Sequence, residues 1–250
     1  SGLVGSEMCI RDRINTNWFL CCKDGEGIWK ELGIAINNYF LLSPFSLPLP
    51  QNQQTMVEII DLATRNQQKA WEVIRKTDVI NIWKSIGAEI NLVGSLRMGL
   101  LVKHRDIDFH IYSSAITPAD SFRAMAKLAE NTSMKRIEYV NLLDTQEACL
   151  EWHGWYEDEE HELWQLDMIH ILKGSRYDGY FEKMAERITA ALTDETRNAI
   201  LKLKYETPET DKIMGVEYYQ AVIRDGVRSY EELKEWKWQH PVTGIIEWMP

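Results

Sequence analysis

Several features that announce a protein class are scarce in this chain. It has four cysteines, Cys9, Cys21, Cys22 and Cys149, and no Cys-x-x-Cys pair among them. Neighbouring cysteines are poorly placed to share one metal or a relaxed disulfide, which argues against a structural zinc site or a disulfide framework. A reducing, cytoplasmic setting is the expectation. No run of about 18 apolar residues occurs, the length a membrane-spanning helix needs. The apolar stretch behind Arg11 and Arg13 ends at Cys22 and meets Lys23, Asp24 and Glu26 at once, too short for a secretory signal. Basic side chains are outnumbered 28 to 38, for a net charge of −10. That balance weighs against a non-specific phosphate grip on nucleic acid. The histidines show no His-Glu-x-x-His or other ligand spacing, and His153 and His161 read as flanks of a hairpin.

What is present suits a globular protein. Hydrophobic residues make up 45% of the chain and charged residues 26%, enough to bury a core in one large or two small domains. The ten tryptophans are densest in the tail, at Trp236, Trp238 and Trp248, where core or lid packing is the expected role.

The first thirteen residues, SGLVGSEMCIRDR, look like translated sequencing-adapter or vector sequence. Residues 14 to about 54 hold no sustained period and end in SPFSLPLP and QNQQ. Residues 1–55 are therefore expected to be a non-native or disordered extension, with the functional chain starting near Met56. Thr55 and Glu58, at capping-box spacing, cut against that start.

From 56 to 76 apolar residues recur at helical spacing, and a shorter helix is expected over 79–86. Residues 89–93 read as a strand running into Gly94-Ser95, and 106–112 alternate as a half-buried strand. A helix is expected over 118–131 behind Thr117, then strands over 135–140, 148–156 and 162–172, with the acidic string 157–160 as a solvated turn. Helices follow over 179–192, 194–205 and 208–224, and a last one behind the Ser229/Glu232 capping box. The expected class is α+β: a helix, a mixed sheet flanked by helices, then a C-terminal helical bundle, with domains at 56–175 and 176–250.

The informative segment is VGSLRMGLLVKHRDIDFHIY, residues 93–112. Asp106 and Asp108 sit two apart in a strand, so both carboxylates point to one face while Ile107, Phe109 and Ile111 cover the other. Two neighbouring carboxylates repel, and keeping both ionised calls for a cation between them. Hard oxygen ligands at that spacing suit Mg²⁺, which takes one or two protein carboxylates and leaves the rest to water and phosphate. Upstream, a strand ends in Gly94-Ser95, a turn that offers backbone N–H groups and a hydroxyl to a phosphate.

Gly-Ser, a ten-residue spacer and then Asp-hydrophobic-Asp-hydrophobic resembles the DNA polymerase β-like nucleotidyltransferase superfamily, whose minimal and antibiotic-modifying members are nearest in size. The resemblance covers roughly residues 56–172. It implies a nucleotidyltransferase fold, an NTP as substrate and a third carboxylate on a later strand, which Asp167 fits. It further implies that Asp106, Asp108 and Asp167 hold two Mg²⁺ ions, with Asp167 also helping to deprotonate an acceptor hydroxyl. Gly94 and Ser95 would hold the β- or γ-phosphate, and Arg97, Lys103 or Arg105 would neutralise phosphate charge. Lys202, with Lys204 as the neighbouring choice, would be the lysine that relatives send from a following helix to the triphosphate. The apolar spacer departs from the small, polar stretch of many relatives and suggests an enclosed turn. Transfer of a nucleoside monophosphate to a hydroxyl on a small molecule or protein is the leading expectation. A catalytically silent nucleotide-binding or regulatory module is the alternative, and Asp106, Asp108 and Asp167 together speak against it; an RNA-end transferase ranks last, because the Lys and Arg residues of the helical part are interleaved with Glu and Asp.

Overall fold

The structure is a computed structural model and describes residues 51–242 and 244–250. The expectations for residues 1–50, the adapter-like segment and Cys9, Cys21 and Cys22 among them, lie outside the described residues.

A long helix α1 (Gln51–Thr77) comes first. It begins five residues before Met56, because Gln51 to Gln54 contain no breaker, so Thr55 lies inside the helix and cannot cap it. After α2 (Val79–Lys84) come β1 (Glu89–Val93), the single turn α3 (Gly94–Arg97) and β2 (Asp106–Ser113). Then follow α4 (Pro118–Ala129), β3 (Met134–Leu142), β4 (Cys149–Glu157) and β5 (Leu163–Leu172). Thr117 caps α4 by accepting from the Asp120 N–H, with Pro118 at the first helical position.

The five strands form one mixed sheet in the order β1-β2-β5-β4-β3. Only the β2–β5 pair is parallel. The β4–β5 hairpin carries the acidic string, and it is docked rather than loose: Lys69 of α1 pairs with Glu160 and Glu162, and Lys76 with Glu159.

Alternation along the strands builds a separate core on each side of the sheet. Ile107, Phe109, Ile111, Trp152, Leu166 and Met168 face α2, α4 and the C-terminal half of α1, where Trp83 is fully buried. The other face meets the C-terminal helices α5 (Tyr180–Ala191), α6 (Asp194–Glu206), α7 (Gly215–Tyr219) and α8 (Tyr230–Gln239). These helices share one hydrophobic core with Val93, Tyr112, Cys149 and Ile171 of the sheet. The Ser229/Glu232 capping box opens α8 as expected.

The expected helix over 208–224 is divided. Residues 208–214 are irregular, α7 starts at Gly215, and a π-helical turn covers Gln220–Arg224. The buried Glu217 explains the late start, since its carboxylate accepts from the Met214 N–H and from Lys237 of α8. In the tail, Trp236 packs into the core and donates to Asp225, whereas Trp238 is 78% exposed.

Candidate active site

The turn at Gly94 sets up the site. Its φ of +85° lies in the left-handed region, where a side chain is strained. A Cβ there would fall 1.7 Å from Oδ2 of Asp108. Only a bare backbone can pass this close to the carboxylate, and Val93, the residue before it, pairs with Asp108 across β1 and β2. Ser95 follows, buried at the start of α3.

The spacer is enclosed, as its apolar content suggested. Leu96 and Leu101 enter one core, and Met98, Leu100 and Val102 enter the other. Its backbone is held by side chains from two helices: Asn66 of α1 donates to the Val102 carbonyl, and Arg197 of α6 to the Met98 carbonyl. The excursion that delivers Asp106 is thereby fixed at both ends.

In the parallel β2–β5 pair Asp108 lies directly opposite Asp167, and Asp106 opposite Gln165. Paired residues of neighbouring strands project to the same side, so all three aspartates share one face of the sheet, on strands about 4.8 Å apart. Asp108 and Asp167 are buried and Asp106 is half-buried. Burial first, and then the charges of Asp106 and Asp167, push the Asp108 carboxyl well above its ordinary range. Burial raises Asp106 as well, offset by the nearby Lys204 ammonium.

Of the two lysines the sequence offers, Lys204 rather than Lys202 is the one brought to the Gly94-Ser95 turn. Lys202 is on the outer face of α6 and pairs with Glu206. Two residues turn a helix by about 200°, so Lys204 faces inward. It is buried, and its Nζ donates to Ser95 Oγ at 2.6 Å, to the Leu100 carbonyl at 3.1 Å and to the Tyr219 hydroxyl at 3.4 Å. These acceptors make a buried ammonium tolerable, although burial still lowers its pKa to about 8. Only the folding of α6 against the α3 turn distinguishes the two lysines.

The other basic candidates divide in the same way. Arg97 sits on α3 two residues beyond Ser95 and is half-buried. Lys103 donates to the carbonyls of Tyr205 and Thr207 at the end of α6. Arg105 pairs with Glu162 at the root of the acidic hairpin. Lys103 and Arg105 are thus committed to stabilising neighbours, one the helix terminus and the other the α1–hairpin ion pairs.

Sequence reasoning missed His153. It lies opposite Asp167 across the antiparallel β4–β5 pair, and its Nδ1 contacts Asp167 Oδ1. A hairpin flank and a site residue look alike until the strand register is known. His110, close to the aspartates in sequence, is held in the core edge-on to Phe181, and burial keeps it neutral. Tyr219 is buried beside Lys204, and burial raises its pKa above the ordinary range.

Fit to a divalent cation can be judged from the oxygens. Asp108 Oδ2 is buried without a hydrogen-bond partner among the described residues, in the space the missing Gly94 side chain keeps open. A buried carboxylate oxygen with no donor is costly, and an all-carboxylate set is what a hard cation takes. Among the described residues, one group of three ligand atoms lies within 4.8 Å of one another: Glu147, Cys149 and Glu151. The three aspartates are spread more widely than that. Cys149 pairs with Ile171, four residues and roughly 13 Å along β5 from Asp167, so that group is separate from the aspartates.

No protein-family model and no curated sequence matches the chain. Solved structures do match in fold. A Cid1 structure, described by its RNA terminal uridylyl transferase activity, aligns at a TM-score of 0.50 and 14% identity, covering 68% of this chain and 54% of that one. Cid1 poly(U) polymerase with MgGTP bound gives 0.49 at 13% identity, covering 68% and 55%. The GLD-2–GLD-3 non-canonical poly(A) polymerase complex gives 0.47 at 9%, covering 70% and 58%. This chain therefore spans little more than half the length of those proteins. The mixed five-stranded sheet flanked by helices is the nucleotidyltransferase fold. Among the described residues no helix is long and apolar enough to cross a membrane.

Proposed function

We propose that this protein is a Mg²⁺-dependent nucleotidyltransferase that moves a nucleoside monophosphate from an NTP to an acceptor hydroxyl, releasing pyrophosphate. The observation that carries the reading is the row of carboxylates: Asp108 opposite Asp167, with Asp106 on the same face, beside the Gly94-Ser95 turn and the buried Lys204. Asp106, Asp108 and Asp167 would hold the metal, two ions in the proposed arrangement, which when bound neutralises the developing phosphate charge.

The chain's own groups take these roles. Ser95, with the backbone beside Gly94, receives the terminal phosphates, and Lys204 exchanges its Ser95 contact for a phosphate oxygen. Asp167 takes the proton of the acceptor hydroxyl. That oxygen then bonds to the α-phosphorus as the bond to the pyrophosphate oxygen breaks, in line. Arg97 remains as a further phosphate contact.

The whole-chain charge had argued against nucleic acid as acceptor. That exclusion has no support, because net charge says nothing of one local groove and Cid1, an RNA terminal uridylyl transferase, shares the fold. The test is to incubate the protein with each NTP, Mg²⁺ and a panel of RNA ends, small hydroxyl compounds and proteins. Pyrophosphate release with a matching nucleotide mass on one acceptor is expected. Tight NTP binding with no pyrophosphate across the panel would instead indicate the silent module.

Lys204 allows a sharper check. Lys204→Met should raise the NTP KM by about 10- to 100-fold, the worth of one charged hydrogen bond, whereas Lys202→Met should leave it unchanged. Since the Lys204 pKa is lowered to about 8, wild-type KM should climb as pH rises through that value and the ammonium loses its proton. The KM of Lys204→Met should stay flat over the same range. Matching profiles for both proteins would remove Lys204 from the phosphate site.

A further inference from the structure

The environment of Asp167 is more constrained than a metal ligand requires. Among the described residues, two side chains hold its carboxylate, both at Oδ1: the Gln165 amide donates at 2.7 Å, and His153 Nδ1 approaches from the neighbouring strand. A carboxylate only accepts, so His153 donates through Nδ1, and Nε2 is the ring nitrogen left over. That Nε2 is buried and has no hydrogen-bond partner among the described residues, in a residue only 2% exposed. A ring kept for packing alone would carry no such orphan, since an apolar side chain fills the same space at lower cost.

We infer that His153 is the positioning residue of Asp167. With Gln165 it fixes the carboxylate's rotation through Oδ1, so that Oδ2 is the oxygen presented to the cation and the acceptor hydroxyl. The inference rests on the nucleotidyltransferase reading and adds a residue to it. His153 acts through Asp167 and touches neither substrate nor metal. The strand register makes this possible, because His153 and Asp167 face each other in the β4–β5 ladder while Asp167 faces Asp108 in the β2–β5 ladder. One row across three strands thus carries the orienting ring, the oriented carboxylate and its partner carboxylate.

The test uses His153→Leu, which removes the donor and the orphan together, and His153→Asn, which restores a donor near the Nδ1 position. His153→Leu should melt no lower than wild type. Its Mn²⁺ affinity, measured by electron paramagnetic resonance with NTP present, and its kcat should each fall by about 10- to 100-fold with little change in NTP KM. His153→Asn should recover most of both. A His153→Leu protein that binds Mn²⁺ and turns over like wild type overturns the inference alone. So does a His153→Asn protein no better than His153→Leu. A wild type that binds no Mn²⁺, with or without NTP, overturns the functional reading and the inference together. A wild type that binds Mn²⁺ without turnover overturns the transferase reading only, and the affinity comparison still decides the role of His153.

Discussion

Asp108→Asn should lose nucleotidyl transfer by at least about 10³-fold and yet melt higher than wild type when no divalent cation is present. The activity loss follows from removing one charge from the carboxylate set that holds the cation, whose stabilisation of the reacting phosphate is worth several kcal/mol, at about 1.4 kcal/mol per tenfold in rate. The stability gain has a separate cause. Asp108 is buried, its Oδ2 lacks a donor among the described residues, and Asp106 and Asp167 repel it, so its folded pKa stands well above the ordinary 3.8. Within the window from that value up to the raised one, the folded state binds more protons than the unfolded state. Cation-free wild type therefore loses stability as pH rises through the window. Asn keeps the shape and never ionises, so that loss should be blunted. Mg²⁺ with NTP should raise the wild-type melting temperature and leave the variant's unchanged. Asp106→Asn should lose activity to a similar degree but gain less stability, since Asp106 is half-buried and Lys204 already offsets its charge. Differential scanning fluorimetry with and without Mg²⁺, beside a pyrophosphate assay, measures both effects. Retained transfer in either variant would remove the aspartates from the mechanism.

Gly94→Ala should be the most damaging glycine-to-alanine change among the described residues. The new Cβ would sit 1.7 Å from Asp108 Oδ2 and 2.9 Å from its Cβ, so the carboxylate or the turn must move. The alanine must also hold φ at +85°, a left-handed conformation costing about 1–2 kcal/mol. Together these predict a loss of about 3 kcal/mol or more in stability, in the range of other steric insertions into packed sites. Transfer activity should disappear with it, because Asp108 is displaced from Asp167. A double-mutant cycle separates the two causes. In an Asp108→Gly background the contacts with Oδ2 and with Cβ are both gone and only the backbone cost should remain, so the Gly94→Ala penalty should drop by about half. An equal penalty in both backgrounds would show that the carboxylate is not what Gly94 accommodates. Gly174 also has positive φ, but an added Cβ there meets nothing within 4 Å, so Gly174→Ala isolates the backbone cost for comparison.

Much of this arrangement was legible because it is local. Period-two alternation in 106–112 placed Asp106 and Asp108 on one face, and the Gly-Ser pair marked the turn. The apolar spacer announced that the intervening loop is buried. The same local logic failed where a neighbour in space sets the outcome. Residues 208–214 carry nothing that forbids a helix, and Glu217 holds the chain out of one by taking the Met214 N–H and Lys237. Lys202 and Lys204 have the same chemistry two residues apart, and the packing of α6 alone decides that Lys204 meets Ser95 while Lys202 pairs with Glu206.

The division has a physical basis. Strand and turn geometry repeat over two to four residues, so the chain carries in its own order the Asp106/Asp108 face and the Gly94 turn. Strand pairing joins residues far apart along the chain, and its register depends on how both faces of the sheet are covered. That is how Asp167 comes to lie opposite Asp108, and how His153, an ordinary hairpin residue in the sequence, comes to hold Asp167 in place.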